Sequence, residues 1–156
     1  MKRAIVYYSL SGNTEKTAKI IAERTGADLI RIDTVKAMPS GFKGQIMYGG
    51  MLATFGMKPE IKKVPDNITD YEDIILGTPV WASTFAPALK TLFSQKDIGS
   101  KVSSVFTLSG SGDNAKCLAK LSKFCPNIKN SVSLSDEKNG KPQDNKGLLE
   151  GFMTKL

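Results

Sequence analysis

Apolar positions follow two rhythms that alternate along the chain. Ala4-Ile5-Val6-Tyr7-Tyr8 is apolar at consecutive positions and rich in β-branched and aromatic residues. Such a run suits a central strand covered on both faces. Ser9-Leu10-Ser11-Gly12-Asn13-Thr14 follows, a cluster of turn and helix-capping residues. The spacing then predicts a helix to about Thr25, with Ala18, Ile21 and Ala22 inward and Glu15, Lys16, Lys19 and Glu23 outward. Gly26 is its stop signal. Asp28 to Ile32 reads as a second strand, Asp73 to Gly77 as a third, Lys101 to Leu108 as a fourth and Ile128 to Leu134 as a fifth. Pro87 opens a helix ending near Ser94. Another helix runs to about Phe124, where Pro126 closes it. Asp136 to Asn145 reads as polar loop, and Leu149, Phe152, Met153 and Leu156 give a last helix its apolar stripe.

One region resists this reading. From Asp33 to Val64, Gly41, Gly44, Gly49, Gly50 and Gly56 interrupt any long helix. Met47, Tyr48, Met51, Leu52 and Phe55 nevertheless keep a spacing of three to four, which predicts a broken helix near 43–55. Elsewhere strand and helix alternate. The expectation is one α/β domain over 1–156: a three-layer, doubly wound, five-stranded parallel sheet with right-handed crossovers.

Composition removes whole chemistries. The 156 residues include no histidine. That excludes Ser-His-Asp and Cys-His hydrolases, His-ligated zinc and histidine acid–base catalysis. The two cysteines, Cys117 and Cys125, are too few for a four-ligand metal site. On one helix they would also lie about 12 Å apart in rise, beyond disulfide reach. Redox or group-transfer chemistry would have to come from a bound cofactor. No apolar run is long enough to span a membrane and the first residues lack signal-peptide character, so a cytoplasmic protein is expected. The net charge is +7, and residues 90–129 carry +5 of it, seven lysines against two aspartates. A basic face can recruit an acidic partner. No aromatic-interleaved basic motif of the RNA-binding kind is present.

In doubly wound sheets a ligand lies beyond the carboxyl ends of the strands. Three segments leave strands at that edge: 9–14, 78–84 and 109–113. All are rich in small, polar or glycine residues. The first offers hydroxyl and amide donors from Ser9, Ser11, Asn13 and Thr14, together with the unpaired N–H groups that open a helix. It has no Lys or Arg, so an anion there would be held by neutral donors and the helix dipole. Neither G-x-x-x-x-G-K-[ST] nor G-x-G-x-x-G is present, which argues against P-loop and dinucleotide-binding sites. Asp33 is read as a strand-end residue. Trp81, the one tryptophan, sits in the second segment, where it can stack on a flat ring.

These segments resemble flavodoxins over nearly the whole chain. Ser9-Leu10-Ser11-Gly12-Asn13-Thr14 resembles the loop that holds the FMN phosphate. Gly77-Thr78-Pro79-Val80-Trp81 resembles the segment flanking the ring, and Ser109-Gly110-Ser111-Gly112-Asp113 looks like a form of the third loop. The resemblance implies sheet order 2-1-3-4-5 and FMN as cofactor. It assigns Ser9, Ser11, Asn13 and Thr14 to the phosphate, with Leu10 and Gly12 in the same loop. It places Thr78, Pro79, Val80, Trp81 and Ala82 along one edge of the isoalloxazine. The backbone of Ser109, Gly110, Ser111, Gly112 and Asp113 falls near its pyrimidine end.

The chain departs from the family pattern in three places. Asn114-Ala115 follow Asp113 where many flavodoxins carry an aromatic. One flavin face is therefore open, or covered by Tyr48 or Phe55. Ala82 stands where a glycine would ease backbone rearrangement, and the charge is basic where carriers are usually acidic.

The expected function is a low-potential electron-transfer flavoprotein, a monomer or weak dimer with an acidic redox protein as partner, binding neither nucleic acid nor membrane. The alternative is an NAD(P)H-dependent FMN or quinone reductase on the same fold. A third reading is a non-redox module for a phosphate-bearing ligand.

Overall fold

The structure is a computed structural model that describes residues 1–39, 41–138 and 140–156, without the side chains of Phe42 and Ile46. The expected polar loop at 136–145 includes Asn139, and the glycine-interrupted region includes Ser40. Both residues lie outside the described ones.

Strand β1 (Arg3–Tyr7) is an interior strand of the sheet. It pairs in parallel with β2 (Asp28–Arg31) on one side and β3 (Asp73–Trp81) on the other. β3 pairs with β5 (Val102–Ser109), and β5 with β6 (Asn130–Ser135), all parallel. The order β2-β1-β3-β5-β6 is the expected one once the two-residue strand β4 (Thr84–Phe85), antiparallel to β3, is set aside.

The unbroken apolar run of β1 has a simple cause. Ala4, Val6 and Tyr8 enter one core and Ile5 and Tyr7 the other. Period-two alternation thus supplies both faces, and neither can be polar. Helices α1 (Asn13–Thr25) and α5 (Asn145–Met153) contribute Ala18, Ile21, Leu149 and Phe152 to the Ile5 core. Helices α3 (Pro87–Gln95) and α4 (Ala115–Leu121) contribute Leu89, Leu92, Cys117 and Leu121 to the other. α1 ends where Gly26 turns left-handed and its N–H reaches the Ala22 carbonyl at 2.8 Å.

Three expectations are corrected. The first concerns the glycine-rich region, where α2 (Phe42–Thr54) is one continuous helix, not a broken one. Packing overrides propensity there. Residues 33–35 and 60–62 form a short antiparallel bridge through Thr34 and Ile61. This closes the excursion at its base and lays α2 against β3, β4 and α3. The second concerns 78–84, expected to leave the third strand after Gly77. β3 runs on to Trp81, and only Ala82 and Ser83 turn the chain into β4. α4 is also shorter than expected, giving way to turns before Phe124. Among the described residues no helix is long and apolar enough to cross a membrane.

Candidate functional site

Register brings the three segments together. Tyr7 lies opposite Gly77, and Gly77 opposite Phe106, so β1, β3 and β5 release their chains side by side at one edge.

The β1–α1 turn is built around a left-handed glycine. Gly12 has φ 94°, open space where a Cβ would point, and a carbonyl that accepts from Lys16 at 2.9 Å. Ser9 is buried, and its hydroxyl accepts from the N–H groups of Gly12 and Glu15 at 3.2 Å each. Among the described residues, the N–H groups of Leu10, Ser11, Asn13 and Thr14 donate to no other group. Six successive amides, two of them weakly engaged, therefore lie at the positive end of α1, an arrangement whose donors and dipole favour negative charge. Thr14 is buried and Ser11 exposed. The Asn13 side chain is turned elsewhere: its amide donates to the Asp136 carboxylate at 2.9 Å.

Motif reading missed the cation beside this turn. Arg31, on β2, donates to the Ser9 carbonyl at 3.1 Å and pairs with Glu15 and with Asp33, the latter at 2.8 Å. The Asp33 contact pushes the guanidinium pKa further up. Asp33 thus serves at the strand end, as expected. A cleft of about 260 Å³ opens beside Tyr8, Ser9, Arg31 and Lys62.

The β3–β4 hairpin is self-contained. Thr78 is fully buried; its hydroxyl donates to the Pro79 carbonyl at 2.8 Å and accepts from the Ala86 N–H at 2.9 Å. Ala82 (φ 47°) and Ser83 (φ 58°) both hold left-handed backbone, as a two-residue turn matched to strand twist requires. Neither is a glycine, so the turn is strained. Trp81 is fixed from two sides. Tyr8 meets it edge-on with ring centroids 5.5 Å apart. On α2, a Cβ built on Gly49 would come 3.0 Å from the indole Cε3, so the missing side chain lets the helix backbone lie on the ring. Gly49 was read only as a helix interruption; its purpose is close approach.

The segment 109–113 is held by the C-terminal part of the chain. Asp136 donates its N–H to the Ser109 carbonyl at 2.9 Å, so this residue ties the first segment to the third. Lys141 donates to the Gly110 carbonyl at 2.9 Å and Ser133 to that of Gly112 at 2.7 Å. Gly112 (φ 69°) leaves room for Gln143, whose Oε1 would be 2.6 Å from an added Cβ. The tips at Ala82, Gly110, Ser111 and Asp113 are exposed, so the site is open to solvent. Asn114 sits at the mouth of α4, and its side-chain nitrogen is buried with no partner among the described residues. Such a donor costs about 1–3 kcal/mol unless something accepts from it. The two thiols take no part. Cys117 and Cys125 are buried, and burial raises each to about 12.

Of the residues singled out in the sequence, the backbone of 9–14, the Trp81 ring and the 109–113 backbone meet at one edge. The Thr78 and Asn13 side chains are committed to the protein itself. Phe55 is 75% exposed and Tyr48 half-buried; neither is among the aromatic partners of Trp81.

An open parallel sheet with a helix N-terminal cradle at its centre and a rigid indole beside it defines a flavodoxin-like α/β protein. A family model described as flavodoxin matches residues 51–144, and the chain belongs to that family. It is similar in fold to a flavoprotein from Bacteroides eggerthii, at 21% identity over 99% of this chain and 97% of that one, with TM-score 0.78. It is also similar to a flavoprotein from Lactobacillus acidophilus solved in complex with FMN, at 20% identity over 97% of each chain, TM-score 0.69. A flavodoxin-type WrbA-like protein from Agrobacterium tumefaciens aligns at 17% identity over 97% of this chain and 90% of that one, TM-score 0.57.

Proposed function

We propose that this flavodoxin-family protein binds FMN and works as a low-potential electron carrier. The observation that carries the reading is the set of uncommitted amides of Leu10, Ser11, Asn13 and Thr14 at the positive end of α1, close in the chain to Tyr8, which meets Trp81 edge-on. A phosphate dianion suits these donors because each contact is charge-assisted while the loop itself adds no countercharge. In this reading Ser9, Ser11 and Thr14 add hydroxyl donors, and Asn13 contributes through its backbone. Trp81 stacks on the ring with Gly49 and Tyr8 fixing its plane, and 109–113 faces the pyrimidine end. The orphaned Asn114 amide fits a carbonyl or ring nitrogen acceptor. FMN would supply the one- and two-electron chemistry that a chain without histidine and with two inert thiols lacks. The basic surface suits an acidic redox protein as partner.

The test is a paired titration. FMN and riboflavin are added to the wild type and to Thr14→Val, with flavin fluorescence as the readout. FMN affinity falls far more than riboflavin affinity if the phosphate sits in the turn. Equal losses place it elsewhere.

The excess of lysine over residues 90–129 favours a second reading, an NAD(P)H-dependent flavin or quinone reductase. Anaerobic mixing of the holoprotein with NADPH separates the two: rapid bleaching of the flavin supports the reductase, and an unchanged spectrum the carrier.

A further inference from the structure

A cleft of about 360 Å³ lies between the end of α2, the start of β4, α3 and the end of α4. It exceeds the other clefts described, of about 300, 260 and 260 Å³, and falls in the size range of small-molecule sites. Its lining combines two chemistries. Met57, Phe85 and Phe124 give it an apolar wall; Lys90, Lys120 and Lys123 surround it, and among the described residues no carboxylate lines it.

The wall is rigid. Phe124 stacks on Phe93 (centroids 5.6 Å apart, 18° between planes) and meets Phe85 edge-on at 5.7 Å, yet stays 37% exposed. The lysines are uncompensated. The ion pairs among the described residues engage Arg3, Lys16, Lys19, Arg31 and Lys63. Lys120 and Lys123 near the end of α4 offset its dipole, which is ordinary. Lys90 has no such excuse, since it lies in the first half of α3, where the dipole disfavours a cation. It still turns into this cleft, held by a 3.1 Å bond to the Gly56 carbonyl. Three like charges around one cavity repel each other, and an anion in the cavity relieves that cost.

We infer that this cleft is a second binding site, for a flat aromatic ligand bearing two or more negative charges. The ring rests against Phe124 and Met57, and the anionic groups meet Lys90, Lys120 and Lys123. Nucleotide phosphates and aromatic sulfonates or carboxylates share this chemistry. The site does not rest on the flavin reading, because Met57, Phe85, Phe124 and the three lysines all lie outside the three edge segments. It adjoins them through Thr84, the last residue of the second segment, which lines the cleft and pairs with Trp81 across the hairpin.

Calorimetric titration of the protein as purified, at low salt, tests the inference with three probes: adenosine 2′,5′-bisphosphate, naphthalene-1,5-disulfonate and inorganic tripolyphosphate. At least one aromatic dianion should bind one-to-one, and tripolyphosphate about tenfold or more weakly for want of a ring. Lys120→Gln/Lys123→Gln should weaken the aromatic probe by about tenfold or more. Both lysines are exposed, so the fold survives the change. Phe124→Ala should weaken it several-fold. Binding of the nucleotide alone identifies a nucleotide site, and of the sulfonate alone an aromatic-acid site. The inference is overturned if neither aromatic dianion binds, if the lysine substitutions change nothing, or if tripolyphosphate binds equally well.

Discussion

The β1–α1 turn and the β3–β4 hairpin leave neighbouring strands at the same edge, yet they are built on opposite plans. The turn keeps its amides unspent: four of the six N–H groups from Leu10 to Glu15 have no partner among the described residues. The hairpin spends everything inside, with both bonding functions of the Thr78 hydroxyl used by its own backbone. The turn takes its left-handed residue at Gly12 without strain, while the hairpin takes two at Ala82 and Ser83. The first plan suits gripping a ligand by donors, and the second suits presenting one ring at a fixed place. Affinity for a phosphate-bearing ring compound would then divide between a polar share and a stacking share.

That division can be broken from the hairpin side first. Trp81→Ala should weaken FMN by about 1–3 kcal/mol, the scale of base–aromatic stacking, and riboflavin by as much, in fluorescence titrations. A riboflavin loss well below the FMN loss would move the indole into the phosphate share. Gly12→Ala attacks the turn. A Cβ meets nothing there, so the cost is backbone strain of about 1–2 kcal/mol, felt by FMN and much less by riboflavin. Ala82→Gly relieves strain, and should raise the denaturation midpoint by an amount equivalent to about 0.5–1 kcal/mol. Unchanged or lower stability would show that the left-handed pair costs nothing.

Tyr8 joins the two regions, and burial lifts its phenol to about 12, with Asp33 adding to the rise. The unfolded chain gives up this proton near 10 and the folded chain does not. Stability therefore falls with rising pH between about 10 and 12. Cys117 and Cys125 extend the fall downward to about pH 9, their ordinary value. Alkaline denaturation of Tyr8→Phe should show a shallower slope above pH 10.

The same contrast explains what could be read in advance. The strands of the sheet and the 9–14 turn were legible because two-sided apolar runs and Ser-Gly-Asn-Thr report local physics, while the strand order came from the resemblance to flavodoxins alone. The hairpin was not legible because Pro79 has no N–H for a ladder and argues against a continuing strand, and because the Ala82-Ser83 pair carries no turn signature; burial of Thr78 and the packing of Trp81 hold it in place. α2 was misread because glycine propensity is local, whereas the contact of Gly49 with Trp81 joins residues far apart in the chain. Arg31 and Asp136 were invisible as site residues, since nothing in their neighbourhoods marks them, and Asn114 was noted only as a missing aromatic, because its burial and its unpartnered amide among the described residues depend on packing. The register of β1 against β2 brings Arg31 to the turn, and the contacts of Asp136 with Asn13 and Ser109 at the end of β6 bring Asp136 there.

The central claim is that uncharged amides of 10–14 hold a phosphate. Backbone amide resonances of the isotope-labelled protein test it directly when FMN and riboflavin are titrated in parallel. Large shifts are expected at Leu10, Ser11, Gly12, Asn13 and Thr14 with FMN and small ones with riboflavin, while the Trp81 indole N–H moves with both. Equal movement of those amides with the two ligands, or none with FMN, would contradict it.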